Sequence, residues 1–252
     1  MRALIMAVIA AGLPLAGCKG TVGSGTGSNA TATGIWSGTD SVANLGLTAY
    51  VDINGHATFI RDDGVQFVGT LQFSGDTLTA SVQGYSGFGG SFADGSTYGT
   101  GTVNGTVTTG SALNATLGFT TQSRTSIPGT WALTFSTLSK NGSSLSAISA
   151  NYTDSVTATV IAIAGDGVMS GQNSANGCVL NGTASVDNAS YDVYEVAYNY
   201  QNCTGVNAAL NGVQFTGLAA LNSTLVPVQL TMAVTGASPT AKYGIVSILN
   251  GL

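Results

Sequence analysis

The sequence contains the stretch Asp63-Gly64-Val65-Gln66-Phe67-Val68-Gly69-Thr70-Leu71-Gln72-Phe73-Ser74, in which apolar and polar residues alternate. Val65, Phe67, Gly69, Leu71 and Phe73 fall on one face of an extended chain, because successive side chains of a strand point to opposite sides. The other face carries Gln66, Val68, Thr70, Gln72 and Ser74. This pattern predicts a strand over 65–74 with one buried face and one wetter face.

Hairpin signals of the same kind recur along the chain after residue 34. They are Asn54-Gly55, Asp63-Gly64, Asp94-Gly95, Asn104-Gly105, Asp166-Gly167, Asn176-Gly177 and Asn211-Gly212. Asn-Gly and Asp-Gly favour the tight turns of antiparallel hairpins, since both central residues of such a turn need a positive φ. No run of ten or more residues has helical periodicity, so the sequence predicts an all-β, antiparallel fold.

The stretch is also repeated. Residues 63–70 resemble residues 176–183, and Trp36 corresponds to Tyr152 at a similar distance upstream. We therefore expect two copies, 34–137 and 146–252, joined by a linker over 138–145. Gly129-Thr130-Trp131 resembles Gly34-Ile35-Trp36 and is a rival start for the second copy, but its spacing favours placing Trp131 in the last strand of the first copy.

Each copy contains about eight strand-like runs, enough to close a small barrel without a free edge. We predict two tandem, antiparallel, eight-stranded up-and-down barrels, with a β-sandwich of immunoglobulin type as the alternative. The Gly-x-Trp start (Gly34-Ile35-Trp36) resembles the calycin, or lipocalin-like, barrels and the barrels of transferrin-binding-type surface lipoproteins. That resemblance implies the same barrel fold.

The N-terminus has the layout of a secretory signal, with Arg2, an apolar run from Ala3 to Leu15, and small residues before Cys18. Leu15-Ala16-Gly17-Cys18 resembles the lipobox of bacterial lipoproteins. The resemblance implies a signal peptide over 1–17, acylation of Cys18 with palmitate-type chains, and a Gly/Ser/Thr tether over 18–33. Lys19 follows the cysteine, which by the same resemblance implies the outer membrane, on its periplasmic face or at the cell surface. Taken whole, the chain resembles Gly/Thr-rich Gram-negative lipoproteins of unassigned activity.

If Cys18 is acylated, Cys178 and Cys203 remain to form a disulfide, which an exported protein permits. The loop of about 25 residues would add roughly 3 kcal/mol in the chain-entropy model. Two free thiols are the alternative. Residue parity places the two cysteines on opposite faces of a predicted hairpin. We therefore expect either a bulge in the second strand or a Cys203 that lies just beyond its end.

Composition excludes some partners. Only 7% of the residues are charged and the formal net charge is −5, with no cluster of Lys and Arg that could follow a phosphate backbone. This argues against nucleic acid as a partner. The hydrophobic fraction of 44% is sufficient for a packed core.

No set of residues in the sequence resembles a catalytic or cofactor site. His56, the single histidine, lies beside an Asn-Gly turn and is interpreted as a surface turn residue. The chain has no Gly-x-Ser-x-Gly elbow, and one histidine alone does not make a zinc site. Asp52, Asp62 and Asp63 are interpreted as solvated turn residues, with calcium binding as the alternative. We expect no enzyme activity, no metal and no cofactor.

Two aromatic groups are candidate contact residues. Tyr194, Tyr198 and Tyr200 share one strand face, where they could stack on a glycan or a protein, or pack inside the barrel. Tyr85 and Phe88 lie in the glycine-rich segment 84–92, which suits an adaptable contact loop or a barrel rim. The sequence thus favours a lipid-anchored, non-catalytic binding or interaction module of the envelope. A purely structural envelope protein and a hydrolase are the alternatives.

Overall fold

The computed structural model describes residues 29–154 and 159–252, and these form two closed antiparallel barrels of eight strands in tandem. The predicted all-β, double-barrel fold is confirmed. The predicted signal peptide, Cys18 and the first part of the tether lie outside the described residues.

The first barrel is built from the N-terminal strands. They are β1 (Gly34–Asp40), β2 (Leu45–Val51), β3 (His56–Arg61), β4 (Gln66–Thr70), β5 (Gln72–Ser74), β6 (Thr77–Tyr85), β7 (Tyr98–Thr108), β8 (Ala112–Thr121) and β9 (Ser126–Phe135). β1 pairs with β2 on one side and β9 on the other. Pairing of β4 with β6 closes the ring.

The stretch that opened the sequence analysis forms β4 and β5, which keep a single register against β6 from Gln66 opposite Tyr85 to Ser74 opposite Thr77. Val65, Phe67 and Leu71 are buried in the barrel, as predicted. The prediction of a wetter opposite face is wrong for Gln66, whose side chain is fully buried. The reason is that Gln66 packs against the second barrel, where a Cβ added to Gly244 would lie 3.0 Å from Gln66 Nε2.

The second barrel follows a short helical connection. The connection consists of a 3-10 helix (Thr137–Asn141) and α1 (Leu145–Ile148), and a second 3-10 helix spans Gly205–Leu210. The strands are β10 (Asn151–Asp154), β11 (Thr159–Ile163), β12 (Val168–Asn173), β13 (Val179–Ser185), β14 (Tyr194–Gln201), β15 (Gln214–Asn222), β16 (Gln229–Ala237) and β17 (Lys242–Gly251). Pairing of β10 with β17 closes this ring. In the described ranges, none of the helices has the length and apolar character needed to cross a bilayer.

The two barrels match strand for strand when β4 and β5, which share one register against β6, are counted as a single strand. β4 and β13, which contain the repeated stretch, are each the fourth strand of their barrel. Trp36 and Tyr152 lie in the first strands and are fully buried. Trp131 lies in β9, paired with β1 and β8, so its predicted place in the last strand of the first barrel is confirmed.

Several of the predicted hairpin turns are confirmed, and their glycines have a positive φ. Gly55 has φ 81° and Gly64 has φ 82°, as the hairpin turns require. The turn predicted at Asn104-Gly105 is wrong, because both residues lie inside β7. Gly105 instead permits a close approach between strands, since a Cβ there would overlap the backbone of Asn114 and Ala115.

A third apolar cluster joins the two barrels. It contains Ile35, Tyr50 and Ile60 from the first barrel and Val193, Leu218, Ala220 and Ala233 from the second. All are at most 9% exposed. The barrels therefore share a core of their own rather than only a flexible connection.

Residues of the predicted linker and tether are also held in place. Ser139, in the linker, accepts a hydrogen bond from the backbone of Ile35, and its carbonyl accepts one from Asp192 at 3.0 Å. At the end of the predicted tether, Ala32 is buried and its carbonyl accepts a hydrogen bond from Trp36 Nε1 at 2.6 Å. The segment 29–33 thus belongs to the first barrel rather than to a free tether.

Candidate binding cavity at the junction of the two barrels

The centre of the first barrel is occupied by aromatic rings. Phe59 and Phe67 pack on Trp131 with centroid distances of 4.6 and 5.7 Å, and Phe119 meets Phe67 at 5.3 Å. These side chains are at most 1% exposed. Interior packing of this kind stabilises the barrel and leaves its axis to side chains rather than to a ligand.

A cavity of about 580 Å³ lies where the second barrel meets the first. Drug-sized ligands occupy cavities of about 300–1,000 Å³. The cavity wall is mainly apolar and comes from both barrels: Tyr50, Ile60 and Phe88 from the first, and Ile161, Cys178, Tyr200, Leu210, Ile245, Val246 and Ile248 from the second. Ile161, Cys178 and Leu210 belong to the core of the second barrel, so the cavity reaches from the junction into that barrel's interior.

The glycine-rich loop of the first barrel contributes to this wall. Gly87 forms a bridge with Gly244 of β17, and Phe88 lies 6.2 Å from the ring of Tyr243. Phe88 is 43% exposed and lines the cavity. The loop that the sequence proposed as a contact segment therefore touches the second barrel and keeps one aromatic side chain available to a ligand. Tyr85 is different, since it is buried and its hydroxyl donates to Gln83 Oε1 at 2.7 Å.

The second predicted aromatic group divides in the same way. Tyr194 and Tyr198 are at most 1% exposed and face the interior of the second barrel, where Tyr198 stacks on Phe215 at 5.6 Å. They are core residues, as the interior alternative held, and offer no outer surface to a glycan or protein. Tyr200 is half-buried at the end of the same strand and lines the cavity.

A disulfide between Cys178 and Cys203 fastens one side of the cavity. Cys203 lies beyond the end of β14 at Gln201, as one of the two expectations held, and Asn202 turns the chain with φ 59°. Asn211 clamps the same segment, because its side chain accepts from Cys203 N at 2.8 Å and donates to Cys203 O at 3.0 Å. The disulfide and this clamp hold the 3-10 helix that supplies Leu210 to the cavity wall.

Comparison with models of protein families, with curated proteins and with solved structures finds no match.

The charged groups around the cavity are mostly acidic. Arg61, Asp62 and Asp154 line it. Arg61 is already paired, because its guanidinium makes two bonds to Asp63 at 2.6 and 3.0 Å and lies 3.9 Å from Asp40. Pairing with Arg61 lowers the pKa of Asp63 against the opposing effect of its burial. The positive charge of Arg61 is therefore balanced by carboxylates of its own barrel.

A second groove of about 440 Å³ runs between the barrels and contains Asp52, His56 and Glu195. Asp52 is 3% exposed, so its interpretation as a solvated turn residue is wrong. Its Oδ1 accepts the backbone N–H of Asn54 and of His56, both at 2.8 Å, and its Oδ2 lies 2.6 Å from His56 Nδ1. These bonds explain why a carboxylate is buried here.

These three residues are of metal-ligating type, and the described part of the chain brings one ligand atom of each within 4.8 Å of the others. Two ligands of a single zinc or calcium ion lie roughly 3 Å or more apart. The Asp52–His56 distance of 2.6 Å is that of a hydrogen bond. The arrangement is a carboxylate–imidazole–carboxylate cluster with members from both barrels. Sequence reasoning missed Glu195, which is distant in the chain and carries no motif.

Asp192 is a further buried acid at the junction, 2% exposed. Burial raises its pKa to about 7, against the opposing hydrogen bonds from Leu221 N–H and Tyr194. Burial also raises the pKa of neighbouring Tyr194 to about 12, and the charge of Asp192 adds to this effect. This group is covered by protein on all sides and acts on stability rather than on a ligand.

Proposed function

We propose that this protein is a lipid-anchored binding protein of the bacterial outer membrane that holds a small, largely apolar molecule in the junction cavity without chemical reaction. The observation that carries the proposal is the cavity itself, which combines a ligand-sized volume with an apolar wall from both barrels. The lipobox-like sequence at Cys18 supports the anchor and the location.

A non-catalytic role is supported by the groups around the cavity. A nucleophile needs a base within hydrogen-bond reach and a third group that orients the base. His56 is held by Asp52 but lines the other groove, so it is not placed to serve the cavity. The polar residues that do line the cavity offer hydrogen bonds and charge to a bound molecule.

A purely structural envelope role is the second candidate. It is favoured by the first barrel, whose centre is filled by Trp36, Phe59, Phe67 and Trp131. The junction cavity distinguishes the two functions, since a structural protein has no need of a ligand-sized, largely apolar cavity between its domains.

Titration with a neutral fluorescent dye, N-phenyl-1-naphthylamine, tests the binding function. We expect one saturable site on the mature protein. Ile245→Trp should fill the cavity and weaken binding by about tenfold or more, equal to ~1.4 kcal/mol. Val168→Trp is the matched control, because Val168 is exposed on β12 outside the cavity. Absence of saturable binding, or equal binding by both variants, would overturn the proposal.

A further inference from the structure

The electrostatic surroundings of the junction cavity favour one sign of ligand charge. Asp62 and Asp154 lie in its wall, and the guanidinium of Arg61 lies 2.6 Å from Asp63 and 3.9 Å from Asp40. One cation thus faces four carboxylates. Residues 155–158, which follow Asp154, are Ser, Val, Thr and Ala and add no ionisable side chain.

Lys242, a second basic residue near the junction, contacts residues of the first barrel outside the cavity. Lys242 lies on β17 with Ile245, but its Nζ is 3.4 Å from Gln83 Oε1 and 4.9 Å from the centre of the Tyr98 ring. Lys242 does not line the cavity. Within the described residues, Arg61 is therefore the one basic side chain in the wall, and its guanidinium is bound to Asp63.

Asp154 adds negative charge to the cavity wall. It is 6% exposed, and its charge adds to burial in raising the pKa of Tyr200, which a hydrogen bond with Tyr198 opposes. A charge in such surroundings acts more strongly than in water, because the effective dielectric constant is low. The electrostatic attraction of a cation to Asp154 requires only its negative charge, so it does not require a direct hydrogen bond between the ligand and the carboxylate.

The aromatic part of the wall acts in the same direction. Tyr50, Phe88 and Tyr200 line the cavity. The face of an aromatic ring attracts cations, with about 0.5–2 kcal/mol for each favourable contact. An organic anion gains no such attraction from a ring face and is repelled by the carboxylates.

We infer that the junction cavity selects apolar molecules that carry a positive charge, such as alkyl- or arylammonium ions, over anions of the same size and shape. This inference rests on the proposed binding function and specifies its ligand class. Apolar burial provides the affinity, and the acidic surroundings with the aromatic rings provide the selection.

Calorimetric titration of the mature protein with three matched compounds tests this inference: 4-phenylbutylammonium, 4-phenylbutanol and 4-phenylbutanoate. The cation should bind at least about tenfold more tightly than the anion, with the alcohol between them. Higher ionic strength should reduce this ratio through screening. Three equal affinities, or tighter binding of the anion, would overturn the inference and leave the proposed function in place. Binding of none of the three would overturn both.

Variants locate the source of the selection. Asp154→Asn should reduce the ratio of cation to anion affinity several-fold and leave the affinity for the alcohol nearly unchanged. Asp62→Asn is a second variant at an exposed position and serves if Asp154→Asn does not fold. Asp76→Asn is the matched control, since Asp76 is exposed on a turn of the first barrel outside the cavity. A ratio unchanged in both cavity variants would contradict the inference.

Discussion

Oδ2 of Asp52 lies 2.6 Å from Nδ1 of His56, in the groove where the first barrel faces Glu195 of the second. Asp52 is 3% exposed, so its charge depends on the donors that surround it. The pair therefore places a hydrogen-bonded carboxylate in the groove between the two barrels, close to Glu195.

His56→Ala should lower the free energy of unfolding by about 1–2 kcal/mol, because a buried carboxylate loses one of its donors. A double-mutant cycle with Glu195→Gln measures the contact across the barrels by urea unfolding. We expect a coupling energy of about 0.5–1 kcal/mol. Strict additivity of the two variants would show that His56 acts on Asp52 alone.

The raised pKa of Asp192 should cause the free energy of unfolding to fall as the pH rises. Its pKa is about 7 in the folded protein against an ordinary value of 3.8, so the folded state binds more protons between these limits. Stability contributed by the protonated acid is complete below the lower value and is lost as the pH rises to the higher one. Asp192→Asn should remove this dependence. The free energy of unfolding of Asp192→Asn minus that of the wild-type protein should increase by on the order of 2 kcal/mol between about pH 4 and about pH 8, as measured by chemical denaturation. Parallel stability profiles would contradict the buried-acid account.

Gln66→Met should stabilise the protein by about 1 kcal/mol. The side-chain amide of Gln66 is fully buried and has no hydrogen-bond partner within the described part of the chain. Replacing an unpaired buried polar group by an apolar one of similar length removes its desolvation cost. Gln72→Met is the matched control, because Gln72 continues the same strand run and is exposed. Thermal unfolding that shows destabilisation in Gln66→Met alone would mean that the amide is satisfied.

Reduction of the Cys178–Cys203 bond should lower the melting temperature of the second barrel and leave the first unchanged. The bond closes a loop with a sequence separation of 25, worth roughly 3 kcal/mol in the chain-entropy model. Cys178→Ser with Cys203→Ser should have the same effect without reductant. Calorimetry with and without reductant measures the two barrels, and a uniform shift of both would indicate one cooperative unit.

Cys18→Ser should prevent acylation and leave an uncut precursor that no longer fractionates with the outer membrane. The expectation follows from the likeness of Leu15-Ala16-Gly17-Cys18 to the lipobox. Immunoblots of membrane fractions from cells that express either form provide the measurement. A Ser variant of normal size and location would show that anchoring does not use this cysteine.

The strands could be predicted because their signals are local. The alternation over Val65–Ser74 and the turn glycines at 55 and 64 can be recognised from neighbouring residues alone. The structure has strands over this stretch and a positive φ at both glycines. The turn predicted at Asn104-Gly105 is wrong because glycine occurs both in tight turns and where two strands approach closely. The sequence pattern is the same in both cases.

The cavity could not be predicted, because it is made by docking rather than by any one segment. Tyr50 and Ile245 lie almost 200 residues apart and meet only when the outer wall of one barrel covers the other. The burial of Gln66 and the proximity of Glu195 to His56 have the same origin. The alternation of apolar and polar residues predicts which side chains of a strand point away from its own barrel. It does not predict which part of the protein will cover those side chains.

The fastening of the cavity wall also depends on the redox state of the compartment in which the protein folds. Cys203 and Leu210 are held by a bond that forms in oxidising compartments and not in the cytosol. If the chain is exported as its N-terminal sequence predicts, the bond would form only after translocation. Under the proposed binding function, the fully fastened cavity would then meet only molecules that are present outside the cytosol.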